Sequence, residues 1–188
     1  MSSCNDNDKR RSEAQKIEAQ KKEVIFKNIS KGWDFQNAPI NEVAENSLGF
    51  WSEWRSFIEE LAQKPKSSIS AFQKKSKALT KKAQNLKENL PVQYNTPSIK
   101  SRIAILITNI SLLDMYMHLT QIPDKKVVHQ IAEINLELIA LQREMDKVDV
   151  KNKIPIEMGE TEMLQMIKDT ARAIPSNVVL PSNTPRVE

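Results

Sequence analysis

Four stretches of this chain repeat apolar or small residues at alternating steps of three and four, and that spacing constrains the fold more than any other feature. The first stretch runs Val43, Ser47, Phe50, Trp54, Phe57, Leu61, and the second Ile69, Phe72, Ser76, Leu79, Ala83, Leu86, Leu90. The third is Ile99, Ile103, Leu106, Ile110, Leu113, Met117, and the fourth Val127, Ile131, Ile134, Leu138, Leu141, Met145, Val148. Steps of three and four average about 3.5 residues against about 3.6 per helical turn, so each segment keeps one apolar stripe toward a neighbour. The breaks between stretches fall where helix chemistry wants them. Lys64-Pro65-Lys66 ends the first, and Ser67 or Ser68 offers a hydroxyl to cap the second. Thr96 before Pro97 reads as an N-cap with proline at the first helical position, and Asp124 after Pro123 puts negative charge in the first turn of the fourth segment.

Helices of about 20–24 residues, roughly 30–36 Å long, joined by short connections favour antiparallel neighbours. The expected architecture is all-α: an antiparallel up-down-up-down four-helix bundle over 42–148. The third and fourth helices, with Ile107, Leu112, Tyr116, Val128 and Ile139 beside their seams, are predicted to be the most buried. The second, weakened by Ser76 and Ala83, is predicted to lie at the edge. The scarcity of glycine (3 residues) and aromatics (5%) argues against a β-sandwich or barrel. No stretch approaches the roughly 20 apolar residues of a membrane span.

The flanks read differently. Residues 1–41 make a tether, a charged helix over 9–29 that docks through Val24, Ile25, Phe26 and Ile29, and a loop with Trp33 and Phe35. Residues 149–188 make a loop, a short helix over about 160–174 with Met163, Leu164, Ile167 and Ala171 on one face, and an extended proline-punctuated tail.

Residues able to do chemistry are few. His118 and His129 flank the turn at Pro123 with Asp114 and Glu133 one helical turn away, but no HxxxH or ExxH spacing accompanies them, so the expectation is surface histidines and no metal. Glu59, Glu60, Glu133 and Glu137 fall on expected solvent-facing positions, and Glu137 lacks a basic partner on its own helix. No nucleophile elbow, phosphate-binding glycine loop, CxxC or HExxH occurs. The reading is therefore a protein that is not an enzyme and uses no cofactor. Phe50, Trp54 and Phe57 are expected in the core, with Trp51 off that seam and closing one end of the bundle near Trp33 or Phe35.

Charge is distributed unevenly. The net charge is +4, yet Lys64, Lys66, Lys74, Lys75, Lys77, Lys81, Lys82 and Lys87 occur in one run without a single Asp or Glu. A solvated face, partly compensated by the acidic stretch 157–162, is the plain reading of such a run. The functional one is an anionic-surface site at Lys74, Lys75, Lys77, Lys81 and Lys82, taking a lipid headgroup layer or an acidic protein. Nucleic acid is disfavoured, because no arginines or aromatics interleave to grip bases.

The lone cysteine stands at position 4. Met1-Ser2-Ser3-Cys4, followed by Asn5-Asp6-Asn7-Asp8, resembles the end of a bacterial lipoprotein box and the mature start of an envelope lipoprotein of the Bacteroidota type. The stretch WSEWRSFIEELAQKPKSSISAFQKKSK with the later IPDKK and ARAIP segments likewise resembles helical lipoproteins of flavobacterial type over 42–175. The resemblance implies lipidation of Cys4, anchorage in a membrane, and a bundle in the periplasm or at the cell surface. The sequence departs from that pattern in lacking the charged and apolar parts of a signal peptide, so either Met1 lies inside a signal peptide encoded upstream or the match is accidental. The leading expectation is thus a non-enzymatic, membrane-tethered bundle of the cell envelope with an interaction or structural role. The alternative is a soluble cytoplasmic bundle binding nucleic acid or an acidic partner through Lys64–Lys87.

Overall fold

A computed structural model describes residues 3–42, 45, 48–153 and 160–168, with side chains at 10–42, 45, 48–153, 163 and 165–168. All regular structure among these residues is helical: α1 (Ser3–Gly32), α2 (Ser52–Ala62), α3 (Ile69–Glu88), a 3₁₀ turn (Val92–Tyr94), α4 (Pro97–Met117), α5 (Asp124–Lys153) and α6 (Glu160–Lys168). The chain divides into two compact units, Met1–Lys151 and Asn152–Glu188. In the second unit α6 ends at Lys168, and the rest of the expected helix and the proline-punctuated tail lie outside the described residues.

Helix ends follow the side-chain chemistry. The hydroxyl of Ser68 accepts from the Ala71 N–H at 3.2 Å, and that of Thr96 from the Ile99 N–H at 3.3 Å, with Pro97 opening α4. Each hydroxyl satisfies a backbone donor that the first helical turn leaves without a partner.

Polar contacts set the register of α2 to α5. Glu60 meets Lys75 and Ser56 meets Lys82 between α2 and α3. Between α3 and α4, Gln73 meets Met117 and Ser76 meets Asp114. Between α4 and α5, Ser98 meets Glu144 and Arg102 meets Glu137. In each pair one residue number rises as the other falls, so consecutive helices run in opposite directions. The stripe residues Phe57, Phe72, Leu79, Leu86, Ile99, Leu106, Ile110, Leu113, Ile134, Leu138 and Leu141 fill the core between them.

Two expectations about these helices are overturned. The first segment does not run unbroken from Val43, since the chain turns at Gly49-Phe50 and α2 starts at Ser52. The turn exchanges two aromatics: Phe50 is 92% exposed and Trp51 only 3%. Trp51 has more apolar surface to bury, and its indole N–H donates at 2.9 Å to the Asn89 carbonyl just past the end of α3. It stacks on Trp54 and lies near Tyr94, away from the Trp33–Phe35 pair. The second correction concerns α3, which is no edge. Ser76 and Ala83 are fully buried, and α3 packs against α2 on one side and α4 on the other.

The N-terminal helix docks only by its last turns. Ile25 and Phe26 are half-buried and Ile29 is buried, whereas Val24 falls off that face and is 56% exposed. Asn28 hydrogen-bonds Asp124, and Gly32 lies so close to Val128 that an added Cβ would stand 2.8 Å from its Cγ1. These pairs keep a constant offset, so the end of α1 runs parallel to α5. An extended strap continues in the same direction. Asn135 accepts from the Gln36 N–H and donates to the Asp34 carbonyl, and Gln142 accepts from the Ile40 N–H at 3.1 Å. Trp33 and Phe35 pin the strap, with Trp33 packed edge-on against Phe72 at 4.8 Å between centroids.

Candidate functional site

The lysine run sits on α3, and the helix divides it. Lys74, Lys77 and Lys81 are exposed and carry no ion pair among the described residues. Steps of three and four place them on one ridge opposite the buried stripe. Lys75 is only 8% exposed: its ammonium lies 2.6 Å from the Glu60 carboxylate of α2 and 3.5 Å from Gln63. Lys82, half-buried, donates to Ser56 at 2.5 Å. The five lysines singled out in the sequence therefore form an outward ridge of three and an inward clasp of two. The clasp ties α3 to α2 through Glu60 and Ser56. The acidic stretch 157–162 has no described side chain, so its compensation of the ridge falls outside the described residues.

The histidines stay on their own helices. The His118 Nδ1 lies 2.8 Å from the Asp114 carbonyl and 3.3 Å from its carboxylate, and His129 lies 3.9 Å from Glu133. Among the described residues no group of three or more His, Cys, Asp or Glu is placed to hold a metal ion.

Three carboxylates find partners that a reading along one helix misses. Both Glu137 oxygens lie 3.3 Å from Arg102 across the α4–α5 seam, and Glu60 holds Lys75. Asp149, buried on α5, receives the Tyr94 hydroxyl at 2.9 and 3.1 Å. Glu144 is held below the usual carboxylate range, chiefly by its hydrogen bond to Lys147 and then by that to Ser98.

Cys4 falls on the first turns of α1, whose side chains are described from Arg10 on. From Arg10 to Val24 every side chain is exposed, and the helix leaves the core past the end where α4 meets α5. Glu18–Lys22 and Glu23–Lys27 pairs at 2.7 and 2.8 Å brace it, with Glu N-terminal to Lys as helix electrostatics favour. Each lysine holds its glutamate below the ordinary pKa, first through the hydrogen bond and then through its charge.

A groove that no spacing in the sequence foretells lies beneath the strap. A cavity of about 280 Å³ is lined by Pro39, Leu48, Trp54 and Ile58, with Gln142 of α5 also on its wall. Among the described residues no helix is long and apolar enough to cross a membrane. No known protein family, curated protein or solved structure matches the chain.

Proposed function

We propose that the protein is a non-enzymatic, membrane-tethered helical bundle of the bacterial cell envelope, lipidated at Cys4 and acting as an interaction or structural element. In this reading α2 to α5 are an up-down-up-down four-helix bundle, and α1 is its stand-off from the anchor. The observation that carries it is the exposed run of α1. Side chains are exposed from Arg10 to Val24, and the helix from Cys4 to Val24, roughly 30 Å at 1.5 Å per residue, separates Cys4 from the docked turns. A largely polar helix held by charge pairs, with every described side chain from Arg10 to Val24 exposed, suits a spacer. The Lys74–Lys77–Lys81 ridge is the anionic-surface site, and Lys75 and Lys82 support it from within.

Expression with the native upstream coding region, metabolic labelling with an alkyne fatty acid, and fractionation test the anchor. Label and membrane association that both disappear in Cys4→Ser are expected; label retained in Cys4→Ser, or none in the wild type, overturns it. The ridge is tested with vesicles containing phosphatidylglycerol. Neutralising its three lysines to Gln should weaken binding roughly a hundredfold, at about 1 kcal/mol per lysine. Salt-sensitive binding of a DNA duplex or single strand, without vesicle binding, would instead support the cytoplasmic alternative.

A further inference from the structure

We infer that the outer face of α4 is an interface with a second copy of this chain, the two α4 helices packed antiparallel about a two-fold axis near Ile110. The inference rests neither on the tether nor on the lysine ridge.

The buried stripe of α4 is Ile99, Ile103, Leu106, Ile110, Leu113 and Met117. Moved along by two residues, about 200° around the helix, the same spacing lands on Ser101, Ile105, Thr108, Leu112, Met115 and, in the turn just past the helix, Leu119. None of these is charged. Leu112 is half-buried and the other five are exposed, Ile105 at 40% and Met115 at 50%. Thr108 donates its hydroxyl to the Ala104 carbonyl of its own helix at 2.9 Å, so it needs no polar partner outside. The same shift on α3 lands on Lys74, Lys81 and Glu88, and on α5 on Glu133, Arg143 and Lys147, as faces turned to water do. Apolar residues scattered singly over a surface need no explanation, but a second stripe at steps of three and four is the spacing of a helix packed on its outer face as well.

The order of residues along the stripe points to the occupant. Its positions are symmetric about Ile110: in an antiparallel pair Ser101 meets Leu119, Ile105 meets Met115, and Thr108 meets Leu112. Small residues thus fall opposite large ones, as interdigitating layers require, and every contact occurs twice, as in any two-fold interface. With no charge on the stripe, a second copy meets no like charge there and a charged partner finds nothing to pair with. From Ser101 to Met117 the helix runs roughly 24 Å, and a strip about 10 Å wide over that length covers on the order of 250 Å² per copy. Stable complexes cover roughly 800 Å² per partner, so this dimer is weak and reversible.

Sedimentation equilibrium of the full chain, from about 20 µM to about 1 mM, should show monomer passing to dimer, the range suited to so small an interface. Ile105→Glu sets a carboxylate against Met115 twice in each dimer and should weaken association at least about tenfold. Val150→Glu, at an exposed apolar site on α5, should leave it unchanged. Mixing Ile105→Lys with Met115→Glu tests the direction of packing, because only the antiparallel mixed pair brings the new charges of opposite sign together. The mixture should associate more tightly than either variant alone, while circular dichroism verifies that both keep their helix content. A chain that stays monomeric throughout, an Ile105→Glu variant that dimerises like the wild type, or a mixture no tighter than its parents overturns the inference. Monomers whose binding to phosphatidylglycerol vesicles falls in Ile105→Glu would overturn it too, and assign the stripe to lipid.

Discussion

Replacing Tyr94 by Phe removes one oxygen atom and should cost about 2 kcal/mol. The hydroxyl lies at 2.9 and 3.1 Å from the two oxygens of Asp149, and both residues are buried, so Tyr94→Phe takes a donor from a carboxylate that water barely reaches. Hydrogen bonds to charged groups contribute about 1.5–3 kcal/mol, more than neutral ones, because the stranded charge keeps its desolvation cost. For a chain of this size the loss corresponds to about 4–8 °C in Tm. A stranded charge has a second consequence. If the penalty comes from a stranded charge rather than from lost packing, removing the charge as well should restore stability. The double variant Tyr94→Phe, Asp149→Leu leaves an apolar pair and should recover most of the loss, since replacing both partners of a buried polar contact can be nearly neutral. Urea denaturation followed by circular dichroism at pH 7 measures both quantities. A Tyr94→Phe cost under about 0.5 kcal/mol, or a double variant no more stable than the single, would refute the account.

Three further outcomes follow from the geometry. Phe50→Ser should stay within about 0.5 kcal/mol of the wild type, while Trp51→Ala loses about 3–5 kcal/mol, and the reverse order in a urea titration would contradict the break before α2. Gly32→Ala should destabilise by about 1–2 kcal/mol, because overpacking against Val128 exceeds the gain in helix propensity; pairing it with Val128→Ala should return much of the loss, as thermal melts would show. Glu144 has a lowered pKa in the fold, so its contribution is present above the ordinary glutamate range and disappears as pH falls through the lowered value. Ser98→Ala removes the second of the two hydrogen bonds responsible, and should make stability fall less steeply with acid in denaturation curves taken from pH 7 downward.

Periodicity carried much of the helical architecture, because burial of one stripe is a local property of a helix. Every stripe residue from Phe72 to Leu86 and from Ile99 to Met117 is buried, and the caps at Ser68 and Thr96 come from residues adjacent to their helices. The pattern misled where competition decided the outcome. Phe50 and Trp51 both offer apolar surface to one end of the core, and spacing favours Phe50. The indole prevails through a partner at Asn89, 38 residues away, which no local rule weighs. Ser76 and Ala83 defeat a count of apolar area for a related reason. A small residue in a stripe subtracts apolar area, but it also lets two backbones close up, and the second effect depends on the facing helix. Gln142 and Asn135 were invisible as strap holders because their partners are backbone groups about a hundred residues distant.

The lysine run shows how the same limit applies to a site. Counting finds eight positive charges without an acid between them, and a count gives every lysine the same weight. Direction on the helix does not. Lys75 and Lys82 are seven residues apart, hence on one side, and each directly precedes a small member of the stripe, Ser76 or Ala83. Positions flanking a seam turn toward the adjacent helix, where Glu60 and Ser56 are waiting. That signal was present in the sequence, but it needed the identity of the neighbouring helix to become a contact. With the clasp subtracted, Lys74, Lys77 and Lys81 remain on the outer ridge. Electrostatic binding scales with the charges that reach the surface, so Lys75→Gln and Lys82→Gln should lower stability with little effect on vesicle affinity, and the ridge variants should do the opposite. Urea titration beside vesicle sedimentation of the same five single variants separates the two groups. Equal losses of affinity across all five would mean that α3 binds through its total charge and that the division into ridge and clasp has no functional meaning.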